Sequence, residues 1–241
     1  MIDIHCHLLP GIDDGAPDVS TALQMVRLAV EDGIEAMVFT PHIHSGRYEN
    51  TRQSIQESLL SFQQDLFQAG IKIKTTAAAE VRISPEIPRM VENEQLPYIG
   101  EHDGQHVFLL EFPHGHIPPG SDKLVQWLLD NKIKPIIAHP ERNKEVLRDL
   151  SRIQPYVSAG CLLQVTAGAV SGLFGKPARQ RAIQMLKKGW VFALASDAHN
   201  VDYRPPLLQA GRLAAAKVIG EAEAGRLVRD NPWSVVEGLF Q

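Results

Sequence analysis

Six of the seven short apolar runs in this chain have a histidine or a carboxylate at their C-terminal end or within two residues beyond it. No other feature limits the possible folds as much. The runs are Ile2–Ile4, Ala36–Thr40, Ile73–Ala79, His106–Glu111, Pro135–Ala138, Leu162–Thr166 and Val191–Ala195. Most are apolar without clean alternation, as expected of parallel strands covered on both faces. Helical patterns lie between them. Val19, Ala22, Leu23, Val26 and Val30 fill one face of the first, with Asp18 or Ser20 as its cap and Gly33 as its stop. Gln53–Ala69, Asp122–Asn131, Lys144–Ala159, Ala178–Lys188 and Leu207–Ile219 read as further helices. Asn231–Gln241 reads as a closing helix that starts at Pro232. Arg82–Glu101 is the least regular stretch and reads as one short helix and a loop.

The strand-helix alternation implies parallel pairing with right-handed crossovers. The chain has 241 residues and no linker, repeat or low-complexity segment, so residues 1–241 are expected to form one α/β barrel-like domain. In such a barrel the strand ends converge on one face, where residues distant in sequence meet. The acids and imidazoles are placed to meet in that way. His5 and His7 lie two apart on a strand and face one side, which sends Cys6 into packing. His42 follows the second run across Pro41, and Glu80 follows three alanines. Glu111 ends the fourth run, His139 follows the fifth, and Asp197 and His199 follow the last. A glutamate approached through apolar chain needs a cation or a hydrogen-bond network. Mixed imidazole and carboxylate ligands suit zinc, manganese or iron.

Composition removes several functions. The net charge is −4 and no basic stripe is present, which argues against nucleic acid as a partner. No apolar stretch approaches the roughly 20 residues that span a bilayer, so no membrane insertion is expected. Asp3, Asp13 and Asp14 stand where a signal peptide would need a basic and then an apolar segment. Two cysteines make no disulfide framework and fit a reducing, cytoplasmic setting. Neither begins a Cys-x5-Arg phosphate loop, because Ile12 and Ala167 stand at the arginine positions. A cysteine nucleophile is therefore disfavoured.

Three motifs carry a family resemblance: His5-Cys6-His7, His139-Pro140-Glu141-Arg142 and Ser196-Asp197-Ala198-His199. Together they resemble the motif set of the polymerase and histidinol phosphatase (PHP) superfamily. The longer string His5-Cys6-His7-Leu8-Leu9-Pro10-Gly11-Ile12-Asp13-Asp14-Gly15 is similar to one branch, the metal-dependent protein-tyrosine phosphatases of bacterial capsule and exopolysaccharide operons. The resemblance spans Met1 to Arg204 and implies a distorted (β/α)7 barrel with three divalent ions. Manganese is the first expectation, with iron, cobalt or zinc as alternatives. It implies that His5, His7, Glu80 and Asp197 hold the first ion, and that Glu80, Glu111 and His139 hold the second. Asp14, with Asp13 as the alternative, joins His42 and His199 around the third. Many superfamily members carry histidine where Glu111 stands, and a carboxylate there favours harder metals.

The implied chemistry is in-line attack on phosphorus by a metal-bridging hydroxide, a strong nucleophile near neutral pH. Arg142, three residues after His139, and Arg204, five after His199, are candidates for a phosphate clamp. Arg47 and Tyr48 are candidates for the substrate entrance, whereas His102, His106, His114 and His116 read as loop residues. The implied substrate is a phosphotyrosine-bearing protein, a bacterial tyrosine kinase with its phosphorylated C-terminal tail. A small-molecule phosphatase of the same superfamily, such as one acting on histidinol phosphate, is the nearest alternative. A phosphodiesterase or a silent binding module stands further off.

Overall fold

In the computed structural model, residues 1–240 are described. Among these described residues ten strands follow in order: β1 (Ile2–Cys6), β2 (Ala36–Phe39), β3 (His42–Ile43), β4 (Lys74–Ala77), β5 (Glu80–Arg82), β6 (Gly100–His102), β7 (Gln105–Glu111), β8 (Ile133–Ala138), β9 (Leu162–Thr166) and β10 (Val191–Ala195). The parallel ladders run β1-β2-β4 and β3-β5-β7-β8-β9-β10, and β6 lies antiparallel on β7. Phe39 pairs with Ala77 and His42 with Glu80, so one register carries through from β2/β4 to β3/β5. These four strands are thus two passes of chain, each interrupted once, and seven parallel passes result. Beyond β10, the Asp197 amide donates to the His5 carbonyl at 2.8 Å, and the His7 amide donates to the Ala198 carbonyl at 2.9 Å. The last pass thereby meets the first, and the C-terminal rim forms the distorted (β/α)7 ring.

Two apolar clusters mark the inside and the outside of this ring. In β7, Val107 and Leu109 point inward while Phe108 and Leu110 point out towards the helices, following the two-residue period of a strand. The outer layer comprises α1 (Val19–Glu31), α2 (Arg52–Gln68), α3 (Ile87–Glu92), α4 (Ser121–Asp130), α5 (Lys144–Arg148), α6 (Gln154–Ala159), α7 (Ala167–Ser171), α8 (Gly175–Lys187), α9 (Gln209–Ile219) and α10 (Glu221–Arg226). Asp18 caps α1 by accepting from the Thr21 amide at 2.8 Å. A final helix, α11 (Asp230–Val236), closes the barrel floor, where Val235 and Val236 join the inner cluster. A Cβ at Gly100 would sit 1.9 Å from the Val235 carbonyl oxygen, and its φ is +142°, so only glycine lets α11 approach this closely.

Strand β1 departs from regular pairing at a functional point. Asp3 pairs with Met37 and Cys6 with Phe39, three residues against two, which is a bulge. The extra residue leaves Ile4 in the inner cluster and Cys6 in the outer one, while His5 and His7 share the mouth. Asp3 accepts from the His5 amide at 3.3 Å and from the Ser196 amide at 3.0 Å, tying the bulge to the end of β10.

The expected helix Lys144–Ala159 is divided into α5, a 3-10 turn at Leu150–Arg152 and α6. Asp149 is extended at φ −143°, and its carboxylate accepts from the Ser151 amide and hydroxyl, which ends one helix and restarts the chain. Arg82–Glu101 holds α3 and also contributes the ends of β5 and β6. The expected closing helix gives way after Val236 to a 3-10 turn, Glu237–Phe240, and its last residue, Gln241, lies outside the described residues. Among the described residues, no helix is long and apolar enough to cross a membrane.

Candidate metal centre

All nine candidate ligands stand around the C-terminal mouth. His5 and His7 come from the β1 bulge, Asp14 from the loop after it, and His42 and Glu80 from the first residues of β3 and β5. Glu111 closes β7, His139 follows β8, and Asp197 and His199 follow β10. His139 and Asp197 adopt left-handed backbone, with φ of +32° and +51°. Such a conformation costs a non-glycine residue about 1–3 kcal/mol and clusters at functional sites.

The protonation of the two strand histidines is set from behind. His5 Nδ1 donates to Gln164 Oε1 at 2.9 Å, and His7 Nδ1 to Asp13 Oδ2 at 2.7 Å. Both Nε2 atoms therefore turn lone pairs inward, and they lie 3.2 Å apart. Glu80 Oε2 is 3.4 Å from each, and Asp197 Oδ1 lies 3.3 and 3.4 Å away. These two carboxylate oxygens are buried and complete no hydrogen bond, although His42 Nδ1 stands 2.9 Å from Glu80 Oε2. Four acceptors converging on one point repel unless positive charge stands among them, and they fit a divalent cation. Without one, protons serve: burial opposes charging His7, yet Asp13 and the other carboxylates hold its pKa well above the usual value. Burial likewise pushes Glu80 up, but His5, His42 and His139 bring its pKa well below the usual range.

Two further groups adjoin this one. His7, Asp14, His42 and His199 present ligand atoms within 4.8 Å of one another, as do His42, Glu80 and Glu111. His42 stands between them, with Nε2 3.3 Å from Asp14 and Nδ1 2.9 Å from Glu80. His139 meets the other oxygen of Glu80, Oε1, at 2.7 Å. Burial, together with Arg142, pushes the His139 pKa down to about 4, and burial with His7 pushes His199 down to about 3. Both are neutral at pH 7, the form that binds metals. Burial and the Glu80 charge raise Glu111 to about 7, against the pull of Arg82.

The adjacent acids Asp13 and Asp14 take different tasks. Asp13 holds His7 and accepts from the amides of Gly15 and His42, whereas Asp14 faces His42 and His199. Arg142 and Arg204 both donate Nη2 to Asp197 Oδ2. Each keeps a buried Nε without an acceptor, and Arg142 stacks on Phe174 at 4.8 Å. Tyr48 stacks on His42 at 5.4 Å, and Arg47 lies over the Tyr48 ring. His102 and His106 lie on β6 and β7 beside Asp103 and Glu101. The carbonyls of His114 and His116 accept from the Lys144 amide and the Asn143 side chain, and neither histidine belongs to a metal-ligand group. Cys6 and Cys161 are buried and free.

Sequence reasoning missed three residues here. Gln164 lies in β9, the one run without a terminal acid or imidazole, and its signal was a glutamine inside an apolar run. Arg82 Nε lies 2.9 Å from Glu111 Oε2. Asp3, fully buried, was signalled only by its place two residues before His5.

Comparison with known proteins agrees with this arrangement. Residues 1–237 match the family described as capsular polysaccharide synthesis, CpsB/CapC. The chain is 35% identical over 204 residues to the tyrosine-protein phosphatase YwqE of Bacillus subtilis (strain 168), covering 85% of this chain and 79% of that protein. It is 27% identical to the tyrosine-protein phosphatase CpsB of Streptococcus pneumoniae, covering 98% of both. A solved structure from the YwqE and CpsB pair, described as unique metal-dependent tyrosine phosphatases, superposes with a TM-score of 0.91 at 32% identity, over 98% of this chain and 94% of that one. Histidinol phosphate phosphatase from Lactococcus lactis shares the fold, at 14% identity and a TM-score of 0.55, over 93% of each chain. With the match running from Met1 nearly to the end, this chain belongs to the CpsB/CapC capsular polysaccharide synthesis family.

Proposed function

We propose that this chain is a metal-dependent phosphatase that hydrolyses phosphotyrosine on a protein. One observation carries the reading: the His5 and His7 Nε2 atoms, 3.2 Å apart, face two buried carboxylate oxygens that complete no hydrogen bond, beneath a pair of arginines. The relatives YwqE and CpsB are named tyrosine-protein phosphatases, and that activity is carried over here. His5, His7, Glu80 and Asp197 hold one divalent ion; Glu80, Glu111 and His139 hold a second; Asp14, His42 and His199 hold a third. Manganese is the expected ion, because carboxylates at Glu80 and Glu111 favour hard metals. Once bound, such ions supply a nucleophile from water near neutral pH and positive charge for phosphoryl oxygens.

The chain's own residues do the rest. Gln164 and Asp13 fix the tautomers of His5 and His7, so that both Nε2 atoms stay ligands. Arg142 and Arg204 offer their free Nε–H groups to the phosphoryl oxygens, and Phe174 holds the Arg142 plane. A phenol leaves with a pKa of about 10, so a tyrosine ester needs little acid assistance. We further propose that residues 1–241 act as one domain in the cytoplasm, and that the substrate is the tail of a bacterial tyrosine kinase. Phosphate release from a phosphotyrosine peptide and from histidinol phosphate, after metal stripping and manganese reloading, tests the activity. Manganese-dependent release from the peptide is expected. A preference for histidinol phosphate would overturn the tyrosine reading and leave the metal centre in place.

A further inference from the structure

A groove of about 760 Å³ lies beside the barrel mouth and shares two strands with the metal centre. Its floor includes Ile43 and Val81, which directly follow His42 and Glu80 in β3 and β5. Alternate strand residues face opposite ways, so the groove and the candidate ligands stand back to back. Arg82 connects them: it lines the groove and reaches Glu111 at 2.9 Å. Glu49, Glu57, Glu86 and Glu94 line the groove and are exposed. None has a cationic partner within 4.0 Å among the described residues. Against these four carboxylates stand two guanidiniums, Arg52 and Arg82, and Arg82 is already engaged by Glu111. The volume suits a few residues of extended chain.

We propose that this groove holds the substrate chain next to the phosphotyrosine and selects segments that carry lysine or arginine there. The proposal rests on the phosphotyrosine reading of the metal centre. Apolar side chains of the peptide contact Ile43 and Met90, while its cations meet the acidic rim. The groove thus adds sequence selectivity to a mouth that recognises only a phosphoryl group and a ring.

The test compares two phosphotyrosine peptides that differ only in flanking lysines or glutamates. Each is assayed on the manganese-loaded wild type and on a Glu57→Lys, Glu94→Lys double variant, with para-nitrophenyl phosphate as the small control. The wild type should favour the lysine peptide by roughly fivefold in kcat/KM, mainly through KM, and added salt should shrink the preference. The double variant should lose or invert it, with turnover of the small control changed by less than about twofold. Equal kcat/KM for the two peptides on the wild type, or an intact preference in the double variant, overturns the groove. If no aryl phosphate is turned over, the activity reading fails on its own, and fluorescence anisotropy of the same labelled peptides decides the groove. Tighter binding of the lysine peptide, lost in the double variant, supports it; equal binding overturns it.

Discussion

The two ends of one barrel are built on opposite principles. At the floor, Val235 and Val236 of α11 seal apolar side chains beneath Gly100. At the mouth, buried carboxylate oxygens complete no hydrogen bonds, five imidazoles crowd together, and two strand ends take left-handed backbone. The same strands supply both ends: Ile4 faces the inner cluster and His5, the next residue, faces the site. The contrast shows where stability and chemistry reside. Favourable burial surrounds and underlies the mouth, so unfavourable groups can be held within it.

Substitutions at one end should leave the other intact, and the largest effect belongs to the mouth. Asp197→Ala should lower metal-dependent phosphatase activity by about 10³-fold or more, while the protein stays folded. Retained turnover in a manganese-replete sample would remove Asp197 from the centre. At the floor, Gly100→Ala forces a Cβ against the Val235 carbonyl and should destabilise by about 3 kcal/mol, read by denaturant unfolding. Specific activity of the molecules still folded should be unchanged, and a parallel loss of activity would couple the two ends. Gln164→Ala sharpens the contrast from inside the barrel. Freeing the His5 tautomer should weaken manganese binding by about 10- to 100-fold, measured by calorimetric titration. Unaltered affinity would make Gln164 a packing residue only.

The smallest effect, taken per pH unit, is proton competition. Burial opposes charging His42, but Glu80 outweighs it and holds the pKa up to about 9 in the metal-free protein. The ring must lose that proton to bind a metal, so manganese affinity should rise with pH up to about 9 and level above it. The slope should be no more than about tenfold per unit for this one group. In the stripped protein the sign reverses. The stability that charged His42 contributes is fully present below its ordinary pKa of 6.5 and is lost as pH rises through about 9. A manganese affinity that stays flat between pH 7 and 9 would exclude His42 from the ligands.

Much of this architecture was legible because parallel strands announce themselves as dense apolar runs. The reading of Leu162–Thr166 and Val191–Ala195 coincides with β9 and β10 at both ends. Eight of the nine candidate ligands were legible as polar residues at or just beyond such runs, Asp14 came only from the family resemblance, and the fold brings all nine around one mouth. What escaped depended on three-dimensional placement. The β1 bulge is a matter of register with β2, which no single strand encodes. Asp13 and Asp14 are chemically identical neighbours, separated only by which histidine each meets. The break at Asp149 is a competition between a side-chain carboxylate and the helix backbone, and helical periodicity does not record it.

The spread of the candidate ligands from His5 to His199 bears on how the protein is made. Two of the three groups need Asp197 or His199, so they are incomplete while the ribosome is still adding the first 196 residues. An ion that meets the growing chain finds fragments: two imidazoles on a lone strand, or His42, Glu80 and Glu111 before the ring has closed. On the proposed assignment, full loading would follow synthesis, and the finished barrel would do the choosing among ions. For the same reason a complete complement of metal in the proposed sites would certify a chain that has been translated past its last strand and closed.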